Sequence, residues 1–395
     1  MIRKISAHYV FPVSSSPIKN GIIVIDENGK ILDIENPKNN FVESSGLEFY
    51  NGILVPGFVN THCHIELSHL KGKIKEKTGL PDFVSQISNI RVTDEEIIKK
   101  AIKFADKVME LSGIVAVGDI SNTNFSFETK QKSKIKYHTF LEVFSMDENK
   151  AEFVFEKALK LKFELENLNL SSSIVPHAPY SVSDKLFELI KNESVDSGKT
   201  ITIHNQETVF ENQLFINKTG ELYDKLNSIG VNYDNFKISG KNSLETISSK
   251  LSTKSKTLLV HNTFSTENDI EKANAYFENL FFALCPNANL YIEDKLPDIS
   301  MLCKEKQSLT IGTDSLASNH KLSVLDEMKT ISQNFPEINF SEILKWATLN
   351  GAKALGFDNE IGSLEIGKSP GINLISNFDY KNLKLLKESK IKVIC

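Results

Sequence analysis

The sequence is poor in cysteine, and its few cysteines form no regular framework. The 395 residues contain Cys63, Cys285, Cys303 and Cys395, with no CxxC pair among them. Small extracellular domains that depend on disulfides have dense and regular cysteine patterns. The spacing therefore favours a reducing compartment, and we expect a cytoplasmic protein.

Long apolar runs and an excess of basic charge are also missing. No stretch of about 18 apolar residues is present that could cross a bilayer, and the N-terminal segment lacks the apolar region and cleavage site of a signal peptide. The net charge is −5 and the pI is about 6.1, so there is no basic surplus to neutralise phosphates. We expect neither a membrane nor a nucleic acid as a partner.

What the chain does contain is a series of short β-branched runs that alternate with helical patterns. Eight runs are typical of strands: "GILVPGFVNTH", "GIVAVGDIS", "YHTFLEVF", "SSIVPHAPY", "TITIHNQ", "TLLVHNT", "FFALCPNAN" and "LTIGTDS". Between them lie amphipathic stretches such as residues 94–111, in which apolar residues recur at helical spacing. Eight strands that alternate with helices favour an α/β fold of the (β/α)8 TIM-barrel type.

The two ends of the chain have a different pattern. Residues 1–55 contain short strand-like runs with a turn at Asn28-Gly29, and residues 361–395 also have strand patterns, in "IGSLEIGKSPGINLIS" and "KIKVIC". Because chain ends often lie close together, these segments predict a small composite β-sandwich domain. The catalytic barrel would then span residues 56–360. The long connection between "HNQE" and "LLVHN" predicts a lid or substrate loop at the mouth of the barrel.

Polar side chains stand at or just after the carboxyl end of every predicted strand. They are His62 and His64, Asp119, Glu142, His177, His204, His261, Asn287 and Asn289, and Asp314. In barrel enzymes the active site lies at this rim. A single histidine or aspartate there is more often a structural residue, such as a hydrogen-bonded side chain or a helix N-cap. The joint pattern is harder to explain in that way, because burying such a ring of polar groups without partners is costly.

The residue types in this ring indicate a metal site. Imidazole nitrogen and carboxylate oxygen suit zinc or ferrous iron, and a catalytic site keeps one coordination position open for water. Such an ion lowers the pKa of the water toward neutrality. The sequence therefore predicts a divalent metal ion at the rim of the barrel.

Seven motifs occur in order along nearly the whole chain. They are "PGFVNTHCH" (56–64), "VPHAPYSVS" (175–183), "HNQET" (204–208), "LLVHNTF" (258–264), "CPNANLYI" (285–292), "IGTDSLASN" (311–319) and "IGSLEIGK" (361–368). Together they resemble the amidohydrolase superfamily, in its aminohydrolase branch of adenosylhomocysteine and cytosine deaminases and triazine chlorohydrolases. Within that branch, "FLEVF", "HAPYSV" and "TDSLASNHKLSVLDEMKT" are most similar to the aminodeoxyfutalosine deaminases.

The resemblance implies metal ligands position by position. His62, His64 and His204 would bind the ion, and Asp314 would be both a ligand and the base that takes a proton from water. Relatives with two metals bridge them with a modified lysine at the end of strand 4, where this chain has His177. The resemblance therefore implies one divalent ion, which would be zinc, with iron as the alternative.

The resemblance also implies catalytic and substrate-binding residues. Glu207 would carry a proton to the ring nitrogen and the leaving group, and His261 would hold or polarise the attacking water. Glu66, His177 and Asn289 would contact the substrate together with Glu207. Glu66 could equally form an ion pair inside the site, and Asn289 could hold a turn.

The reaction implied by these roles is hydrolytic deamination. The substrate would be an aminopurine-type nucleoside or nucleobase, with aminodeoxyfutalosine as the leading candidate. The alternative keeps the same mononuclear site and hydrolyses another C–N or C–Cl bond, in a cyclic amide, guanine or a triazine-like ring. A scaffold protein without activity is disfavoured because every ligand position is retained. Relatives of this kind are often homodimers, and a homodimer is the oligomer that the resemblance implies.

Overall fold

The computed structural model describes residues 2–37, 46–304 and 308–395. The strands are β1 (Arg3–Val10), β2 (Ile18–Lys19), β3 (Ile22–Ile25), β4 (Ile31–Glu35), β5 (Leu47–Pro56), β6 (Phe58–Cys63), β7 (Ile114–Ser121), β8 (Lys136–Val143), β9 (Ser171–Pro176), β10 (Ile201–Asn205), β11 (Lys256–His261), β12 (Asn279–Leu284), β13 (Leu309–Ile311), β14 (Ile372–Asp379) and β15 (Lys384–Val393).

The helices follow most of the parallel strands. They are α1 (Leu80–Ile90), α2 (Glu95–Leu111), α3 (Phe127–Lys132), α4 (Ala151–Asn167), α5 (Asp184–Ser197), α6 (Val209–Asn217), α7 (Glu221–Ser228), α8 (Ser243–Ser248), α9 (Glu267–Tyr276), α10 (Pro286–Glu293), α11 (Ile299–Lys304), α12 (Val324–Asn334), α13 (Phe340–Lys345) and α14 (Gly351–Leu355). Among the described residues, no helix combines the length and apolar character needed to cross a bilayer.

Two four-stranded parallel sheets form the centre of the fold. One contains β6 to β9 and the other β10 to β13, each in chain order. All eight predicted strands are confirmed. The helix predicted over residues 94–111 is α2, and it begins where the Asp94 carboxylate accepts the N–H of Glu96 as an N-cap.

The two parallel sheets meet at both of their outer edges. Beside β9 and β10, the N–H of His204 donates to the carbonyl of His177 at 3.0 Å. Between β13 and β6, the N–H groups of Thr313 and Asp314 both donate to the carbonyl of His62 at 3.0 Å. This arrangement is consistent with a (β/α)8 barrel, and it brings the carboxyl ends of strands from both sheets to one rim.

The two ends of the chain pair with each other, as predicted. Strands β1 to β5, β14 and β15 form one seven-stranded sheet, in which β14 lies antiparallel to β5. These pairings define a single sheet, so the two layers of a sandwich stay a prediction. The chain passes from this sheet into the parallel strands between Pro56 and Phe58, and the division into two domains at this point stays a prediction.

One part of the terminal prediction is wrong. Residues 361–371 form turns and bends, whereas a strand pattern was predicted from residue 361 onward. Gly362, Gly367 and Gly371 have φ values of 91°, 93° and 68°. These values lie far from the extended conformation of a strand, so the segment turns repeatedly before β14 begins.

The long connection between β10 and β11 contains α6, α7 and α8. Helix α7 packs against α1, and Leu226 on α7 belongs to the same apolar cluster as Leu80 and Phe83 on α1. The connection is therefore a packed helical layer over the parallel strands.

Candidate active site

Three imidazole rings converge at the rim of the parallel strands. Nε2 of His64 lies 3.2 Å from Nε2 of His62 and 3.3 Å from Nε2 of His204. The first two histidines come from the end of β6, and the third comes from β10 in the other sheet. Ligands placed tetrahedrally at about 2.0–2.1 Å from a zinc ion are roughly 3.3 Å apart. The three nitrogens are therefore spaced as ligands of one ion.

Asp314 adds an oxygen to this cluster. Its Oδ1 lies 3.5 Å from Nε2 of His64 and 3.7 Å from Nε2 of His62, and its Oδ2 accepts the hydroxyl of Ser318 at 2.6 Å. Gly312 permits the close approach of this strand end, because a Cβ there would lie 2.8 Å from Cβ of His62. Three imidazole nitrogens and one carboxylate oxygen are a donor set that fits zinc or iron.

The protonation states of the cluster also suit a metal ion. Burial, together with the neighbouring imidazoles, lowers the pKa of His62 well below its usual value, and burial likewise lowers the pKa of His204. Burial acts to raise the pKa of Asp314, but the facing histidines and the Ser318 hydroxyl outweigh it, so that the pKa is lowered. Neutral imidazoles and an ionised carboxylate are the forms that bind metals.

A second group of possible ligands shares a residue with the first. Glu142, His177 and His204 have ligand atoms close together. Nδ1 of His204 is hydrogen-bonded to the carbonyl of His177 at 2.7 Å, which makes it a donor and leaves Nε2 with the lone pair. His204 therefore offers one nitrogen to one ion, and this supports a single metal site.

Glu207 and His261 lie beside the ligand cluster. Nε2 of His261 is 3.6 Å from Oε1 of Glu207, and both side chains are buried. Burial, together with the charges of Asp314 and Glu293, raises the pKa of Glu207 well above its usual value. The raised pKa makes the Glu207 carboxyl group better suited to donate a proton than an ordinary glutamate.

Asn289 lies behind His261 and is absent from the cavity lining. Its Nδ2 is 2.5 Å from Oγ1 of Thr263 and 3.4 Å from Nδ1 of His261. The Asn289 amide lies against Nδ1 of His261, and the opposite ring nitrogen, Nε2, faces Glu207. Asn289 is thus placed to orient His261, which differs from the direct substrate contact predicted for it.

A cavity of about 210 Å³ opens onto the cluster. Its polar lining includes predicted site residues from five different strand ends: His64, His177, His204, Glu207, His261 and Asp314. Its apolar lining comes mainly from α1, α7 and the residues after α7: Leu80, Phe83, Val84, Ile87, Leu226, Ile229 and Val231. The cavity therefore suits a small molecule with both a polar and an apolar part.

Glu66 does not belong to this lining. Its Oε2 accepts the backbone N–H groups of Asn122 and Thr123 at 3.1 and 3.2 Å, so its carboxyl group holds the loop that follows β7. Burial raises its pKa to about 7. The substrate contact predicted for Glu66 stays a prediction.

The structure adds residues to the site that the sequence did not single out. Asn122 and Arg91 line the cavity, and Ser318 holds Asp314. Glu142 was noted only as a polar strand end, yet it lines the cavity with Oε1 3.7 Å from Nδ1 of His204. No spacing signal in the sequence marks Arg91 or Asn122, because both lie outside the strands.

The amidohydrolase family model matches residues 53–392. The chain belongs to the amidohydrolase family. It is a hydrolase that acts on carbon–nitrogen bonds. An adenosine deaminase of Helicobacter pylori is 28% identical to it over 379 residues, which cover 93% of this chain and 89% of that relative.

Solved structures share the fold of this amidohydrolase. An aminofutalosine deaminase of Helicobacter pylori, in complex with methylthio-coformycin, has a TM-score of 0.81 at 22% identity, covering 99% of this chain and 97% of that one. An adenosine deaminase from Xanthomonas campestris with bound zinc has a TM-score of 0.75 at 21% identity, covering 98% and 87%. Likeness at this level of identity establishes the fold.

Proposed function

We propose that this amidohydrolase is a metal-dependent hydrolytic deaminase of an aminopurine nucleoside or nucleobase, with aminodeoxyfutalosine as the leading substrate candidate. The observation that carries the proposal is the pair of carboxyl groups in one cavity: Asp314 lies among the histidines and has a lowered pKa, whereas Glu207 lies beside His261 and has a raised pKa. Two carboxyl groups whose pKa values are pushed apart can serve as base and acid in one reaction. The adenosine deaminase among the curated relatives supports the same reaction class.

His62, His64, His204 and Asp314 would hold one divalent ion, and their donor set favours zinc, with iron as the alternative. The ion, when bound, lowers the pKa of water and so supplies a nucleophile at neutral pH.

The side chains of the chain supply the proton transfers. Asp314 takes a proton from the water as it attacks the carbon that bears the amine. Glu207 donates its proton to the adjacent ring nitrogen, which makes that carbon more electrophilic. His261, whose Nε2 faces Glu207, orients the water and the developing oxygen. Proton return to the amine then releases ammonia.

The wider setting of the site completes the proposal. We place the site in one closed (β/α)8 barrel of residues 56–360, carried with a small β-sandwich domain of residues 1–55 and 361–395. The partner would be a small-molecule substrate, and the enzyme would act in the cytoplasm as a homodimer. The four cysteines are free thiols, which supports a reducing compartment.

Ammonia release from a substrate panel tests the reaction class. The panel contains aminodeoxyfutalosine, adenosine, 5′-methylthioadenosine, cytosine, guanine and a cyclic amide. We expect ammonia from the aminopurine nucleosides, with the highest kcat/KM for aminodeoxyfutalosine. Opening of the cyclic amide without ammonia from any other compound would contradict the proposal.

Glu207→Gln tests the proposed acid. The variant should retain the metal and lose about 10²–10⁴-fold in kcat, the usual contribution of one general acid–base group. Glu327→Gln is the matched control, because Glu327 is also buried but does not line the cavity and is not among the charges that act on Glu207. Asp314→Ala should lose both metal and activity. Full activity of the Glu207 variant would reject its role.

A further inference from the structure

Arginine is rare in this chain, and one of its two arginines lies in the active site. Of the 46 lysine and arginine residues, only Arg3 and Arg91 are arginines. Arg3 is fully engaged far from the site, with Nε and Nη2 each donating to the Glu48 carboxylate at 2.8 Å. Arg91 lines the active-site cavity instead.

The Arg91 guanidinium has spare hydrogen-bonding capacity. Its Nη2 donates to Oδ1 of Asn122 at 3.1 Å, which uses one of five N–H donors. Among the described residues, no carboxylate oxygen lies within 4.0 Å of its nitrogens. No lysine contributes to the cavity lining. The half-buried cation is therefore the one fixed positive charge among the residues that line the cavity.

Arg91 stands at the far end of the helix that forms the apolar wall. Leu80, Val84, Ile87, Ser88 and Arg91 all line the cavity from α1 or its C-cap. With a rise of about 1.5 Å per residue, this face extends over roughly 16 Å. It begins with apolar side chains and ends with the guanidinium.

The two ends of α1 contact different residues around the cavity. At the first end, the N–H of Leu80 donates to Oε1 of Glu293, whose charge acts on Glu207. At the other end, Arg91 contacts Asn122, which follows β7. A substrate with its amine at Glu207 would therefore extend along the apolar side chains toward Arg91.

We propose that Arg91 binds a carboxylate that the substrate carries at the end remote from its amine-bearing ring, with an apolar group between them against α1 and α7. This inference rests on the proposed deaminase function and narrows its substrate class. The planar fork of one guanidinium matches one carboxylate through two hydrogen bonds. A doubly charged phosphate would need further cations, and the lining has no lysine to supply them.

A matched pair of substrates tests the inference. The probes are 5′-deoxy-5′-(3-carboxyphenylthio)adenosine and 5′-deoxy-5′-phenylthioadenosine, which differ only in the carboxylate. Wild type should favour the carboxylate compound, and Arg91→Met should lower kcat/KM for it by about 10–100-fold, as expected for loss of charged hydrogen bonds. The effect on the phenylthio compound should be far smaller. Arg91→Lys should recover part of the loss.

Lys73→Met is the control for general electrostatics. Lys73 is exposed and its charge reaches the nearby His69, yet it does not line the cavity. This variant should leave the preference for the carboxylate compound intact. Metal content and the thermal midpoint are measured for every variant, so that a folding defect is recognised.

The outcomes separate the inference from the function on which it rests. Equal losses on both compounds in Arg91→Met, or no preference in wild type, would overturn the role of Arg91 and leave the deaminase intact. If neither compound releases ammonia, the substrate panel described above decides the proposed function separately. In that case the role of Arg91 is tested by calorimetric binding of both compounds to wild type and to Arg91→Met. A loss of affinity in the variant for the carboxylate compound alone supports the inference. The absence of such a loss overturns it.

Discussion

At His261 and Asp314 the backbone takes the left-handed conformation, with φ values of 72° and 54°. For residues other than glycine this conformation costs on the order of 1–3 kcal/mol. Neighbouring hydrogen bonds hold it in place: the N–H of Asp314 donates to His62, and the N–H of Asn262 donates to the carbonyl of Asn205. Gln206 and Asn262, directly after β10 and β11, also have positive φ values of 44° and 57°, so the strained backbone extends around the strand ends that carry the site residues.

The position of Asn289 gives a prediction about catalysis. Asn289→Ala removes the side chain that lies against Nδ1 of His261. We expect kcat to fall by about 10–100-fold, as for other orienting partners of site histidines, with little change in KM because Asn289 does not line the cavity. Steady-state kinetics check this. A rise in KM at unchanged kcat would instead support direct substrate contact.

Glu211 gives a prediction about pH and stability. It is buried, and burial raises its pKa to about 7. Between its usual pKa near 4.5 and 7, the unfolded state loses a proton that the folded state keeps, so rising pH favours unfolding. Relative to Glu211→Gln, wild type should lose on the order of 3 kcal/mol across this range, since one pKa unit corresponds to about 1.4 kcal/mol. Urea unfolding at pH 4.5 and pH 8 measures the difference; a constant difference would contradict it.

At the scale of elements, a buried ion pair joins three segments beneath the site. Nζ of Lys130 on α3 lies 2.6 Å from Oδ2 of Asp119 on β7, and neither side chain is exposed. Oδ1 of Asp119 accepts the N–H of Ile65 at 2.8 Å, directly after His64. Ser121 and Thr139 accept the remaining protons of the ammonium group. The pair therefore fixes the backbone that carries a metal-ligand candidate.

Removal of one partner should be costly. Lys130→Met leaves the Asp119 carboxylate buried without its cation, and we expect a loss of about 3–5 kcal/mol in the free energy of unfolding. The double variant Asp119→Asn with Lys130→Met removes both charges and should be more stable than the single variant. Urea unfolding of the three proteins is the measurement. A single variant as stable as wild type would show that the pair does not matter for stability.

At the scale of the molecule, the candidate ligands connect the two parallel sheets. His62 lies in β6 and His64 directly follows it, whereas His204 lies in β10 of the other sheet and Asp314 follows the last strand of that sheet. A single ion held by all four would link both sheets at the same rim where their edges exchange backbone hydrogen bonds.

Metal removal should therefore lower the stability of the whole domain. With free zinc at a thousand times its Kd, binding raises the free energy of unfolding by about 4 kcal/mol. Thermal unfolding of zinc-loaded and chelator-treated wild type, with metal content verified, measures the shift. His64→Asn, which lacks one ligand, should show a smaller shift. Identical midpoints for loaded and stripped wild type would contradict the proposed site.

Much of the fold and part of the site could be predicted from local sequence. The eight parallel strands follow from β-branched runs, and α2 follows from its apolar spacing and the Asp94 cap. His62, His64, His204 and Asp314 were selected as strand-end residues, and they do converge. Residues 361–371 were misassigned because apolar alternation was weighted above three closely spaced glycines.

The sequence by itself determined which chemical groups stand at the strand ends, because strand periodicity and residue type are local properties. Only the tertiary structure decided which of those side chains face the cavity and which residues from outside the strands join them. Glu66 turns to the amides after β7, Asn289 lies behind His261, and Arg91 reaches the cavity from the end of α1. These placements depend on packing between segments far apart in the chain, and no local pattern encodes them.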